Sequence, residues 1–110
     1  MMLHEGLQEL AERHAGLTVE TKTVSLAEGL KDHFITLPDG RMIILMTRDG
    51  VEGTRLLLGR VEMDLDSDGE ALLVVEALAK GDYRFDREGR FWKRTRLTVD
   101  GDGHTWIGTG

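Results

Sequence analysis

The chain has 110 residues, 40% apolar and 31% charged, with a formal net charge of −6 and no cysteine. A chain of this length buries roughly two thirds of its unfolded surface, enough for one core and not for two, so the reading is a single domain over residues 1–110. The missing cysteine excludes a disulfide framework, a thiolate metal site and a cysteine nucleophile, and the acidic balance argues against a protein that coats nucleic acid or anionic membrane through its overall field.

From Leu3 to Ala15, Leu3, Leu7, Leu10, Ala11 and His14 recur at the spacing of one helix face, and Gly16 stands where a left-handed cap is wanted. Glu5 falls in the first turn, and Glu9 and Arg13 are spaced for an i,i+4 pair. The period then changes. Leu17, Val19, Thr21 and Thr23 alternate with Thr18, Glu20, Lys22 and Val24, a β-branched run suited to a half-buried strand. Ala27 to Asp32 reads as a loop or one helical turn. Phe34 to Leu37, Pro38-Asp39-Gly40 and Arg41 to Thr47 form the clearest hairpin signal, in which proline presets one turn dihedral and glycine takes the positive one.

Within that hairpin, Met42-Ile43-Ile44-Leu45-Met46 is apolar on both faces, as an inner strand would be. Thr54 to Asp64 reads as one long strand with Leu56-Leu57-Leu58 buried and a bulge at Gly59. Asp64 to Gly69 reads as a turn. Ala71 to Ala79 is ambiguous, since Glu70, Ala71, Leu72, Glu76, Ala77 and Leu78 favour helix while Leu73-Val74-Val75 favours strand. Its hairpin neighbours tip the reading to strand. Tyr83 to Asp86 and Gly89 to Val99 follow as strands joined across Arg87-Glu88, and a last strand runs from His104 to Ile107 after the Asp100-Gly101-Asp102-Gly103 turn.

These elements predict an α+β fold, an N-terminal helix on a strongly twisted antiparallel meander of six or seven strands, with a curled, barrel-like sheet closed at one end by the helix as the alternative. Leu3, Leu7, Leu10 and Ala11 are expected to pack on Met42, Ile44, Leu56, Leu58, Leu73, Val75, Phe91 and Leu97.

The sharpest local motif is Asp64-x-Asp66-x-Asp68-Gly69, the spacing of the first half of a calcium loop, in which oxygens two residues apart converge on one hard cation. The twelfth position holds Val75 where a bidentate glutamate is due, and the bland reading is a solvated acidic turn. Calcium is the only cofactor the sequence suggests.

A second candidate lies in the last third. Residues 1–80 hold 8 basic and 15 acidic side chains, and residues 81–110 hold 6 and 5. Residues 83 to 96 interleave basic and aromatic side chains, so Tyr83, Arg84, Arg90, Trp92, Lys93, Arg94 and Arg96 could grip a phosphate backbone and stack bases. Alternation divides them between two faces, and the plainer reading pairs these cations with the acidic excess upstream.

His4, His14, His33 and His104 match no metal spacing, and His33 or His104 becomes a general base only if the fold brings a carboxylate to it. Neither serine lies in a nucleophile elbow, and no glycine-rich nucleotide loop is present. With no residue set that specifies a reaction, the expected function is noncatalytic. The chain reads as a small binding, adaptor or chaperone-like protein acting through a protein partner or as a homodimer, with anionic-ligand or nucleic-acid binding and weak calcium binding as alternatives. Glu5 and Glu9 replace the basic-then-apolar order of a signal peptide, and no apolar run approaches the ~20 residues of a membrane span, so the expected address is the cytoplasm and no membrane partner is expected.

Overall fold

In a computed structural model that describes residues 3–23, 29–48, 50–88 and 94–110, the chain forms two helices and one eight-stranded antiparallel sheet that does not close into a barrel. The elements are α1 (Leu3–Arg13), β1 (Thr18–Thr23), β2 (Leu30–Thr36), β3 (Met42–Arg48), β4 (Thr54–Leu58), β5 (Val61–Leu65), α2 (Asp68–Lys80), β6 (Tyr83–Glu88), β7 (Arg94–Gly101) and β8 (His104–Thr109). The strand order is β1-β2-β3-β4-β5-β8-β7-β6. Two meanders therefore make one sheet, and β5 meets β8 through a single register pair, Glu62 with Thr109. No helix among the described residues is long and apolar enough to cross a membrane.

The apolar spiral of α1 is realised: Leu3, Leu7 and Leu10 are buried, and Gly16 takes φ +87° just past the helix. Arg13 does not find Glu9. It reaches Glu76 of α2 at 3.1 Å, and the same carboxylate lies 3.6 Å from His14 Nε2 and 3.5 Å from Lys80 Nζ, so three basic side chains gather on one anion.

Residues 71–79 are helix and not strand. Ala71, Val74, Val75 and Leu78 are buried at i, i+3, i+4 and i+7, one continuous helical stripe that no two-residue alternation could produce. The ends are fixed by local chemistry. Ser67 in extended conformation caps the start, its Oγ accepting from the Glu70 amide at 3.2 Å, and Glu70 Oε2 reaches back to accept from the Asp66 amide at 3.1 Å. At the other end Gly81 is left-handed; its N–H donates to Leu78 O and that of Asp82 to Ala77 O, closing a Schellman motif. Capped at both ends, α2 outweighs the β-preference of two adjacent valines, which is a few tenths of a kcal/mol for each residue.

The reach from Thr54 to Asp64 is a hairpin and not one long strand. Leu58 pairs with Val61 across a two-residue turn, Gly59-Arg60, with Gly59 at φ +62° in the first turn position that glycine alone fills without strain. Residues 30–32 belong to β2, and β6 continues through Arg87 and Glu88. The turns at Pro38-Asp39-Gly40 and Asp100 to Gly103 fall where expected, Gly40 donating to Leu37 O and Gly101 pairing with His104.

In β3 the inward residues are Ile43 and Leu45. Met42 is 55% exposed and Ile44 half-buried on the far side. An apolar run on both faces carries no information about which face is inside, because a shift of one residue exchanges the two sets. Leu56, Leu58, Val75 and Leu97 are buried as expected; Leu73 is exposed, and Phe91 lies outside the described residues.

Both helices cover the same face of the sheet, α1 packing on α2 and β1, and α2 on β7, β4 and β5. Where β8 slides under β5 the chain has Gly108, and a Cβ there would stand 2.8 Å from Val61 Cγ1 and 2.9 Å from the Glu62 carbonyl oxygen. Gly108→Ala is expected to destabilise the fold by about 2 kcal/mol, in the range of overpacking changes. Thermal unfolding should show Tm lowered by several degrees, with Gly103→Ala serving as a comparison for backbone strain without a clash.

Candidate functional site

The face of the sheet opposite the helices is covered by nothing among the described residues, and its side chains follow from the register. One cross-strand row reads Glu20, Phe34, Ile44, Leu57 and Glu62; the next reads Lys22, Asp32, Met46, Arg55 and Asp64. Phe34, Ile44, Leu57 and Met46 are half-buried through mutual contact and Met42 adds exposed thioether beside them. Ile107 is 57% exposed on β8, on the same face. The rim is charged and internally paired. Lys22 Nζ lies over the Phe34 ring at 5.4 Å and 3.7 Å from Glu20, and Arg55 Nε donates to Asp64 at 3.0 Å. The result is an apolar centre of five side chains edged by ions, a pattern typical of docking surfaces.

Of the basic-aromatic set, Arg90, Trp92 and Lys93 lie outside the described residues, and the others divide between the two faces of the sheet. Tyr83 shares the helix-covered face with Val99, its register partner, whereas Arg84, Arg94 and Arg96 are on the open face. Arg84 is held by Asp100 at 3.2 Å and Asp86 at 3.7 Å. Tyr83 is engaged across the molecule: its hydroxyl donates a short hydrogen bond to Asp39 Oδ2 and accepts one from Arg41 Nη1 at 3.0 Å, while the Arg41 guanidinium lies 4.8 Å from the Phe85 ring centre. This latch ties the β2–β3 turn to the edge strand β6. The hydrogen bond from Tyr83 holds Asp39 below the usual carboxylate range, and burial, followed by the bond to Asp39, raises the Tyr83 phenol.

The acidic run is dispersed. Asp64 lies on β5 beside Arg55, Asp68 opens α2, and among the described residues no group of three His, Asp or Glu side chains could hold a metal ion.

The histidines give a second site, invisible as a motif because its members come from four elements. Thr21 Oγ1 of β1 stands 2.8 Å from His33 Nδ1 of β2 and 3.1 Å from His4 Nδ1 of α1, with ring centres 6.5 Å apart. His33 is 3% exposed. A cleft of about 280 Å³ opens beside the pair, lined also by Lys31, Thr47, Arg48 and Asp68. His33 is thus brought to one cleft with a carboxylate; His104 stays exposed beside Trp106. The alternation of β1 already placed Thr21 inward, but nothing in the sequence joins residues 4, 21, 33 and 68.

No family model, no curated protein and no solved structure matches the chain.

Burial is the largest influence on the His33 imidazole, pushing its pKa down; His4 and Lys31 add to that, and Asp32 and Asp68 oppose it. The unfolded chain therefore binds a proton on His33 at higher pH than the folded one. His33 costs nothing above the ordinary imidazole value near 6.5, and stability falls as pH drops through that value toward the lower folded one. Tm measured from pH 7.5 down to 5.5 should decline, and His33→Gln should flatten the decline relative to the unsubstituted protein.

Proposed function

We propose that this chain is a noncatalytic protein-binding domain, adaptor or chaperone-like, that works as a homodimer with the open faces of two sheets packed on each other. What supports the reading is the order of side chains across that face. Along the row Lys22, Asp32, Met46, Arg55, Asp64 the signs run plus, minus, apolar, plus, minus, so the sequence of charges is antisymmetric about Met46.

A two-fold axis lying in the interface along β3 would set β2 over β4 of the second copy and β1 over its β5. Lys22 then meets Asp64 of the second copy, Asp32 meets Arg55, and Met46 meets Met46. In the neighbouring row Phe34 meets Leu57 and Ile44 meets Ile44, an apolar centre of the kind that aligned sheets bury about 10 Å apart. An axis across the strands would instead set each charge on its own copy, which disfavours that pairing. Glu20 and Glu62 do face each other in the chosen arrangement, but at the ends of their row, where solvent screens them. Methionine side chains at the centre add a surface that adapts to its neighbour. Strands β6 to β8 lie beyond the overlap, so the edge at β6 stays open to a further protein partner.

The expected solution mass by light scattering is twice the 12.3 kDa of the chain. Ile44→Arg, which sets two guanidinium groups against each other on the axis, should weaken the dimer by about 30-fold or more, the scale of a hot-spot residue near 2 kcal/mol. Its Tm extrapolated to low concentration should change little, since Ile44 lies outside the core. A monomeric parent protein, or a dimer indifferent to Ile44→Arg, would contradict this reading.

A further inference from the structure

We infer that the cleft beside His4 and His33 is a binding site for a small oxyanion, taken up together with one proton. The cleft gathers basic side chains from two elements, His4 of α1 and Lys31 and His33 of β2, with Asp68 as the carboxylate lining it among the described residues. At about 280 Å³ it has room for a sulfate-, phosphate- or carboxylate-bearing group.

The proton follows from Thr21. Its hydroxyl carries one hydrogen and stands between two Nδ1 atoms, so it donates to one ring and accepts from the Nδ1–H of the other. The ring that accepts from Thr21 has its proton on Nε2, and the ring that donates has a bare Nε2. One added proton, placed on that bare nitrogen, gives both imidazoles an Nε2–H while the Thr21 bridge stays intact. No hydrogen bond to either Nε2 is made among the described residues, so both donors are free for a ligand. On His33 the added charge is opposed by burial, by His4 and by Lys31, and favoured by Asp32 and Asp68. An anion bound between the rings reverses that balance, and binding and protonation become one event. The charged groups acting on the pair are Lys31, Asp32 and Asp68, and the imidazole resonances below report whether the histidines or a carboxylate take the proton.

Sulfate is the probe, because its charge is constant across the range, and acetate tests whether a carboxylate serves equally. Calorimetric titration at fixed ionic strength should give sulfate binding about tenfold tighter at pH 6 than at pH 8, with close to one proton absorbed, read from the heats in buffers of different ionisation enthalpy. Imidazole nitrogen resonances of His4 and His33 should shift on titration while that of His104 stays still. His4→Gln and Lys31→Gln, both outside the hydrophobic core, should each weaken sulfate by about tenfold, the scale of one charge-assisted hydrogen bond, and His104→Gln should leave it unchanged. Equal affinity at the two pH values, still His4 and His33 resonances, or binding indifferent to His4→Gln and Lys31→Gln would each overturn the inference.

Discussion

Helix α2 is the constraint on which the rest of this structure depends. The strands form two meanders, β1 to β5 and β8-β7-β6, and the seam between them is one register pair wide. A seam so short supplies little of the ladder that holds neighbouring strands, so the two halves are joined mainly by what packs across them. That element is α2, whose buried Ala71, Val74, Val75 and Leu78 lie on β4 and β5 on one side of the seam and on β7 on the other. Trp106 reinforces the join from β8, its indole N–H donating to Glu70 Oε1 at 2.6 Å. Glu70 thus serves twice, in the cap that starts the helix and in the anchor that fixes it to the second meander.

Placing both helices on one face has a direct consequence for the other. A two-layer arrangement buries one side of the sheet fully, and the far side must then be polar or find a partner. Among the described residues the far side is neither wholly polar nor covered. Arg84, Asp86, Arg94 and Arg96 make the β6–β7 end polar, Asp86 lying opposite Arg96 in the register, whereas Phe34, Ile44, Met46 and Leu57 make the centre apolar. Arg84 of the last third pairs with Asp86 and Asp100 in that same third and not with the acidic residues upstream.

What could be read beforehand divides along a physical line. The α1 stripe, the Pro38-Asp39-Gly40 hairpin and the Asp100 to Gly103 turn depend on contacts within a few residues, and each was legible. So was the signal for α2, in principle: Ser67 and Glu70 have the capping-box spacing ahead of the apolar run and Gly81 closes it, a stronger indication than the β-branched pair Val74-Val75. The face of β3 was not legible, because Met42 to Met46 offers two equivalent apolar sides and only tertiary contact selects Ile43 and Leu45. The histidine cleft was illegible for a different reason. Its members are adjacent only after β1 pairs with β2 and α1 folds back over both, so no spacing in the chain could announce it.

The two surfaces singled out above lie on opposite faces of the sheet, and β1 and β2 belong to both. Thr21 and His33 point to the helices, while Lys22, Asp32 and Phe34, their neighbours in the chain, point to the open face. Strand alternation makes that division unavoidable, since a strand cannot move one set of side chains without moving the other. The histidine cleft and the open face therefore share the strands that carry Lys22 and Asp32. The sheet also ties the histidine cleft, at one end of the β2–β3 hairpin, to the Asp39–Tyr83 latch at the other, because the same two strands run between them.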